Sequence, residues 1–425
     1  MNKNITYSLA ACLVLLLDLV LAVLTAYQTT YNPWFLSVLV ATFILAIVFR
    51  HRFDKTMLRI ARTLLGALFI FSGFVKGVDP IGTQYQFQDY FNAYGLDWLQ
   101  PLTLLAAFAM NYVEFIVGIL LLLNIQTAIT AWIVTLMMSV FTCVTLYDAL
   151  YNAVPDCGCF GKAITLSNWQ TFYKNLIIDA LVVIVLFGRQ RIRSLFSLKA
   201  AGWIGGIVTV LFLAFEAFNV LFLPAIDFLD WKVGAQIAVK AEDRLPATYH
   251  YTYKNKQTGA LQEFEIKQLP TDLKTNWEYV SLREEDPNPK SIAIPLFDET
   301  FNEVSDVLTK DGYTFIFTLY DLEKAKLKKK EHIHQILDFA VQNQYDCFIL
   351  TDSRYLEIPE LQSQVDAFAD RFGHDFKLYY SDDKSVKSLI RANPGLIVLH
   401  DNIVIGKWNW RCMPSIDKLN KTLKK

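Results

Sequence analysis

The chain has 425 residues, enough for two or three domains, with 53% apolar residues, 19% charged residues and a net charge of −1. That average is too apolar for an ordinary soluble enzyme, and the balanced charge offers nothing to nucleic acid. Six scattered cysteines (Cys12, Cys143, Cys157, Cys159, Cys347 and Cys412) exclude a disulfide-stapled secreted fold.

Charges are sparse before about residue 225 and dense after it, which predicts a membrane half followed by a soluble half. Leu9-Ala10-Ala11-Cys12 has the form of a lipoprotein cleavage box. The apolar run follows Cys12 instead of preceding it, so Cys12 reads as a helix residue. Seven apolar runs, roughly 7–27, 33–50, 57–76, 102–123, 127–150, 171–188 and 201–223, have the length and hydropathy of spans.

Lys and Arg set the expected orientation. Arg50, Arg52, Lys55, Arg59 and Arg62 lie around the second link, and Arg189, Arg191, Arg193 and Lys199 in the sixth. The segments 77–101 and 151–170 carry only Lys162. Seven spans with a cytoplasmic N-terminus put both basic links inside. The same count puts 151–170 and the C-terminal half outside, in the periplasm of a bacterial inner membrane. The stretch 77–101 interleaves Tyr85, Phe87, Tyr90, Phe91, Tyr94 and Trp98 with polar residues. It suits a headgroup-level helix or one packed over the mouth of the bundle.

Carboxylates inside spans are costly and point to function or to structural pairing. They are Asp18, Glu114, Asp179 and Glu216, with Asp148 and Lys76 near span ends. Between the fifth and sixth runs lies Val154-Pro155-Asp156-Cys157-Gly158-Cys159-Phe160-Gly161. Two residues of extended chain reach at most ~7 Å. A bend at Gly158 would bring the two cysteines into disulfide range, and a bridge that tight would be labile. Pro155 and Asp156 stiffen the approach to the bend. On the outer face the compartment is oxidising, which suits a dithiol. A static bridge closing the loop is the competing reading.

Phe71-Ser72-Gly73-Phe74-Val75-Lys76-Gly77-Val78-Asp79-Pro80, then Asp156-Cys157-Gly158-Cys159-Phe160-Gly161, then Asn168-Trp169-Gln170-Thr171-Phe172-Tyr173-Lys174-Asn175 resemble the DoxX/MauE-type bacterial membrane proteins. The resemblance covers about 57–190 and implies a four-helix membrane unit with a Cys-x-Cys-Phe-Gly loop. It implies a role in thiol redox or in maturation of exported proteins, MauE-like members being linked to disulfide handling in methylamine dehydrogenase assembly. Residues 1–56 would add two helices, and 191–233 a seventh span and connector.

In the soluble half, 234–289 reads as a linker segment with a β-hairpin: Tyr249, Tyr251 and Tyr253 alternate before a turn at Lys256-Gln257-Thr258-Gly259. From 290 to 425, strands at 313–319, 346–350, 377–380, 395–399 and 402–408 alternate with helices at 328–343, 360–372, 385–391 and from 415. This order resembles a thioredoxin-like α/β fold, and Asn393-Pro394-Gly395 its cis-proline step. The position where such domains carry Cys-x-x-Cys reads Tyr320-Asp321-Leu322-Glu323-Lys324-Ala325, without a cysteine. Cys347 reads as core, and Cys412 as a surface thiol or a late partner for the membrane pair. His332 and His334 lack a third ligand, so no metal is expected.

The expected fold class is therefore an all-α transmembrane bundle followed by a thioredoxin-like domain. The expected activity is thiol–disulfide exchange by Cys157 and Cys159, with Gly158, Phe160 and Gly161 shaping the loop. Expected partners are the lipid bilayer and exported protein thiols or another redox or assembly partner. No cofactor motif is evident; a quinone in the bundle is one conceivable electron acceptor, with no motif for it in the sequence. The alternative is a non-enzymatic scaffold whose soluble domain is a binding surface.

Overall fold

The computed structural model describes residues 15–50, 52–154, 158–191, 194, 196–239, 244–265, 269–270 and 273–424. Cys12, Pro155, Asp156, Cys157 and Arg193 lie outside the described residues. The chain divides into two compact units, Met1–Phe228 and Leu229–Lys425.

The first unit is all helix: α1 (Leu15–Thr25), α2 (Pro33–Val48), α3 (Lys55–Val78), α4 (Pro80–Ala93), α5 (Thr103–Leu122), α6 (Thr127–Tyr151), α7 (Asn168–Gly188) and α8 (Leu198–Leu221). A 3-10 turn, Asp97–Leu102, leads into α5. Starts are set by side chains that accept from first-turn N–H groups. Asn32 accepts from Phe35, Asp54 from Met57, Asp79 from Gly82 and Ser197 from Ala200. Ser167 and Gln170 form a reciprocal capping box on α7.

Among the described residues five segments are long and apolar enough to cross a membrane: α3, Asp97–Leu122, α6, α7 and α8. The first two of the seven expected spans correspond to the shorter apolar helices α1 and α2, α1 being described only from Leu15. Large apolar side chains such as Leu136 on α6 and Val210 on α8 are exposed, as on a surface that meets lipid.

α3 and α5 pack backbone to backbone. A Cβ added at Gly73 would sit 2.6 Å from the Phe115 nitrogen, and one at Gly118 would sit 2.5 Å from the Ile70 nitrogen. In lipid, small residues permit this close approach, and dispersion and polar contacts replace the hydrophobic effect as the source of association. At one end of the bundle, buried Arg62 of α3 donates to the terminal carbonyls of α5, Leu121 O and Leu122 O. That satisfies acceptors a helix end leaves orphaned and places a cation at the negative end of the α5 dipole. Arg191 donates to Phe53 O at the same end. The basic links therefore gather opposite the end where α3 stops, α7 starts and Cys159 lies. α8 finishes at the Cys159 end, where Asn219 donates to Gly77 O at 2.9 Å.

The second unit holds two sheets. In the first, β1 (Thr248–Asn255) pairs antiparallel with β2 (Leu261–Glu265) across the expected hairpin. On its other side β1 pairs with β3 (Trp277–Glu285), a strand the sequence reading left inside the linker. The short helix α9 (Leu273–Asn276) precedes β3.

The second sheet comprises β4 (Tyr313–Leu319), β5 (Asp346–Asp352), β6 (Leu378–Ser381), β7 (Gly395–His400) and β8 (Ile403–Asn409), in the order β6-β5-β4-β7-β8. β4, β5 and β6 run parallel, while β7 and β8 run antiparallel to their neighbours. The helices α10 (Lys330–Gln342), α11 (Arg354–Glu357), α12 (Gln362–Phe372), α13 (Asp383–Leu389) and α14 (Ile416–Leu423) complete it. Thr314 to Leu319 are all buried, as expected of a central strand covered on both faces. Phe315, Phe317 and Leu319 pack with Ile336 and Leu337 of α10, Phe368 and Phe372 of α12 and Leu419 of α14. The connector after the first unit is tied to the edge strand β8: Gly234 N donates to Val404 O, and Ile237 N to Asn402 O.

A candidate redox site at one end of the bundle

The site begins with the loop after α6. Asn152 ends α6 in a left-handed conformation, and Asn168 donates to Asn152 Oδ1 and to the Val154 carbonyl. Gly158 (φ +53°) and Gly161 (φ +54°) make the turn, with Gly161 N donating to Gly158 O. A Cβ on Gly158 would lie 1.4 Å from Nε2 of Gln86, so a side chain there would have to displace the Gln86 amide besides adopting a left-handed φ. Phe160 is buried, packs against Phe71 and carries the Lys174 ammonium 4.8 Å from its ring centre.

Beneath Gly158 and Cys159 lies a cavity of about 260 Å³ walled by α3 to α7. Its lining is mainly apolar, with Phe69, Phe87, Phe91, Met138 and Phe141 among the walls. α4 covers it, as one reading of the aromatic stretch expected. Tyr90 and Tyr94 of α4 donate to the Asp148 carboxylate at 2.9 and 3.2 Å, tying α4 to the end of α6.

One side of the cavity is polar. Lys76 Nζ lies 2.5 Å from Glu114 Oε1, with side chains 7% and 2% exposed. Lys76 sits in the last turn of α3, where the helix dipole favours a cation. Ser72, one turn before it, lies 2.7 Å from Glu114 Oε2 and 2.8 Å from the Cys159 carbonyl oxygen. A hydroxyl has one proton for these two acceptors. Ser72 thus links Glu114 to the carbonyl of the cysteine loop.

The sequence candidates separate as follows. Cys159, Gly158, Lys76 and Glu114 converge on the cavity. Asp148 holds its cover in place. Glu216 of α8 is fully buried and accepts from Asn111, three residues before Glu114 on α5. Asp179 accepts from Thr142, and Asp18 is buried in α1 away from these contacts, its Oδ1 without a hydrogen-bond partner among the described residues. Ser72, Gln86 and Asn111 were not singled out as site residues in the sequence. The i,i+4 spacing of Ser72 and Lys76 and the i,i+3 spacing of Asn111 and Glu114 were the available signals.

In the second unit the Asn393–Pro394 peptide is cis. Asn393 Nδ2 donates to Asp321 O, which brings the Tyr320–Ala325 loop beside that proline. No cysteine is there. Cys347 sits in β5, where burial, with help from Asp346, pushes its thiol up to about 12. Cys412 is exposed. Among the described residues no three His, Cys, Asp or Glu side chains gather as metal ligands.

No curated protein and no solved structure matches the chain. Residues 54–188 match the family model of the methylamine utilisation protein MauE, a stretch that contains α3 to α7 and the cysteine loop and leaves α1, α2, α8 and the second unit outside.

Proposed function

We propose that this protein is a multi-pass thiol–disulfide factor of the bacterial inner membrane that serves maturation of exported proteins. Cys157 and Cys159 cycle between dithiol and disulfide at the outer face. A substrate disulfide is reduced, or a substrate dithiol oxidised, through a mixed disulfide with one of the two sulfurs. The observation that carries this reading is Cys159 seated over a cavity lined by a buried Lys76–Glu114 pair joined to the cysteine loop through Ser72. A loop-closing bridge alone has no use for an ionisable pair at that depth. The match of 54–188 to MauE supports the maturation role.

Basic links at the end opposite Cys159 support a cytoplasmic N-terminus and a periplasmic location for the cysteine loop and the second unit. The second unit, read as a thioredoxin-like domain without its dithiol, then serves as a surface that presents partners.

The test is trapping. A Cys157→Ser or Cys159→Ser variant should accumulate a mixed disulfide with an exported protein, and the pair should titrate in the range of exchange catalysts. A pair that resists reduction, together with a double-serine variant that retains every phenotype, would leave the scaffold reading. The cysteine-free Tyr320–Ala325 loop is the observation that favours that second reading.

A further inference from the structure

We propose that the cavity beneath Cys159 binds a quinone-class acceptor, a lipophilic ring bearing two carbonyl oxygens, and that this ring is the oxidant of the cysteine pair. The proposal rests on the redox reading above and adds its electron acceptor. The argument is one of size, polarity and place. A cavity of about 150 Å³ already takes a benzene ring, so about 260 Å³ admits one substituted ring. Aromatic and aliphatic side chains of α3, α4 and α6 would enclose its faces.

Ser72, Lys76 and Glu114 form one polar corner with Cys159 above, and Gln86, Thr145, Lys174 and Asn175 place further polar groups on other walls. A saturated acyl chain has no acceptor to offer these donors. A charged ligand would add a third charge to a buried pair that is already neutral overall. A neutral ring with carbonyl oxygens meets both conditions. Four of the five helices that wall the cavity, α3, α5, α6 and α7, belong to segments of spanning length, and quinones dissolve in the lipid such helices cross.

The reaction balances without a further reagent. The two thiols, of Cys157 and Cys159, lose two S–H bonds and gain one S–S bond. Two electrons pass to the ring, and two protons end on its oxygens as the O–H groups of a hydroquinone. Ser72 and Glu114 provide a path for one proton, since Glu114 lies within reach of Ser72 and the Lys76 ammonium.

The experiment uses the full chain in lipid nanodiscs, reduced and then mixed with a short-chain naphthoquinone. One equivalent of hydroquinone should form with loss of two thiols, and Cys159→Ser should form none. Val144→Trp, which fills the cavity from α6, should weaken quinone binding at least tenfold. A photoreactive naphthoquinone should crosslink to α4 or α6 next to the cavity, a readout that needs no variant.

Unchanged binding by a folded Val144→Trp protein, or crosslinking only elsewhere, overturns the site. Equal competition by a saturated fatty acid overturns the ligand class. A pair that exchanges with oxidised glutathione but ignores quinone overturns the acceptor and spares the exchange reading. A pair inert to both overturns the exchange reading itself.

Discussion

Cys159 and Cys347 show how differently one fold class and another treat a thiol. In the bundle, Cys159 sits on a turn made by two left-handed glycines, above a cavity with a buried ion pair within two hydrogen bonds of its backbone. In the second unit, Cys347 is one more residue of a strand in a packed sheet, and burial holds it in the protonated form. The comparison teaches that the element carrying a cysteine, more than the residue itself, decides whether chemistry is available to it. The α/β unit holds a thiol shut into its core, and the helical bundle holds one beside a cavity.

The contrast can be broken most directly by alkylation. With its thiol near 12, Cys347 has roughly a thousandfold less thiolate at pH 8 than an ordinary cysteine. Peptide-resolved labelling of the reduced, folded protein should therefore modify exposed Cys412 and half-buried Cys159 long before Cys347, and unfolding should abolish the difference. Equal rates would remove the distinction.

The next effect is the ion pair. Lys76→Met leaves Glu114 buried without its cation, a change that costs about 3–5 kcal/mol when a buried pair loses one partner. Adding Glu114→Gln should recover much of the thermal stability but none of the redox activity, which separates the pair's structural part from its chemical part.

A smaller effect is expected at Gly158. Gly158→Ala forces a left-handed conformation on a residue with a Cβ, costing about 1–2 kcal/mol, and collides with Gln86. Gln86→Ala in the same chain should relieve the collision and leave the backbone term, so thiol exchange should recover in part.

The smallest effect tests a polar turn of the second unit. The Thr300 hydroxyl, followed by the N–H groups of Asn302 and Thr300, holds the Asp298 carboxyl down at about 2. A carboxyl lowered on folding stabilises above its unfolded pKa and loses that contribution as pH falls through the folded value. Asp298→Ala should therefore flatten the pH dependence of unfolding between about pH 4 and pH 2, most simply read from acid melts of the full chain.

Much of this organisation was legible in the chain because it is written in local patterns. Apolar runs marked the helices, alternation marked the β1–β2 hairpin, and the strands and helices after 290 stand where period and turn residues placed them. β3 was missed because Trp277–Glu285 is rich in charge, and its pairing with β1 is a long-range choice that local propensity does not carry. The polar side of the cavity was half visible. Glu114 and Lys76 stood out as ions within apolar runs, but their meeting depends on Gly73 and Gly118, which let α3 and α5 approach. Nothing in residues 71–80 alone says which helix they will touch.

The capping box on α7 has a consequence for how the bundle can be divided. Gln170 also donates to Ala26 O and Ser167 to Thr29 O, while the Tyr173 hydroxyl donates to Thr30 O and accepts from Asn32 N. These bonds stitch the corner between α1 and α2 to the first turn of α7. Cutting the chain at the edge of the matched stretch would strip a glutamine, a serine and a tyrosine of these partners. The five-helix segment is thus not a detachable module: its N-terminal neighbours have become part of its frame.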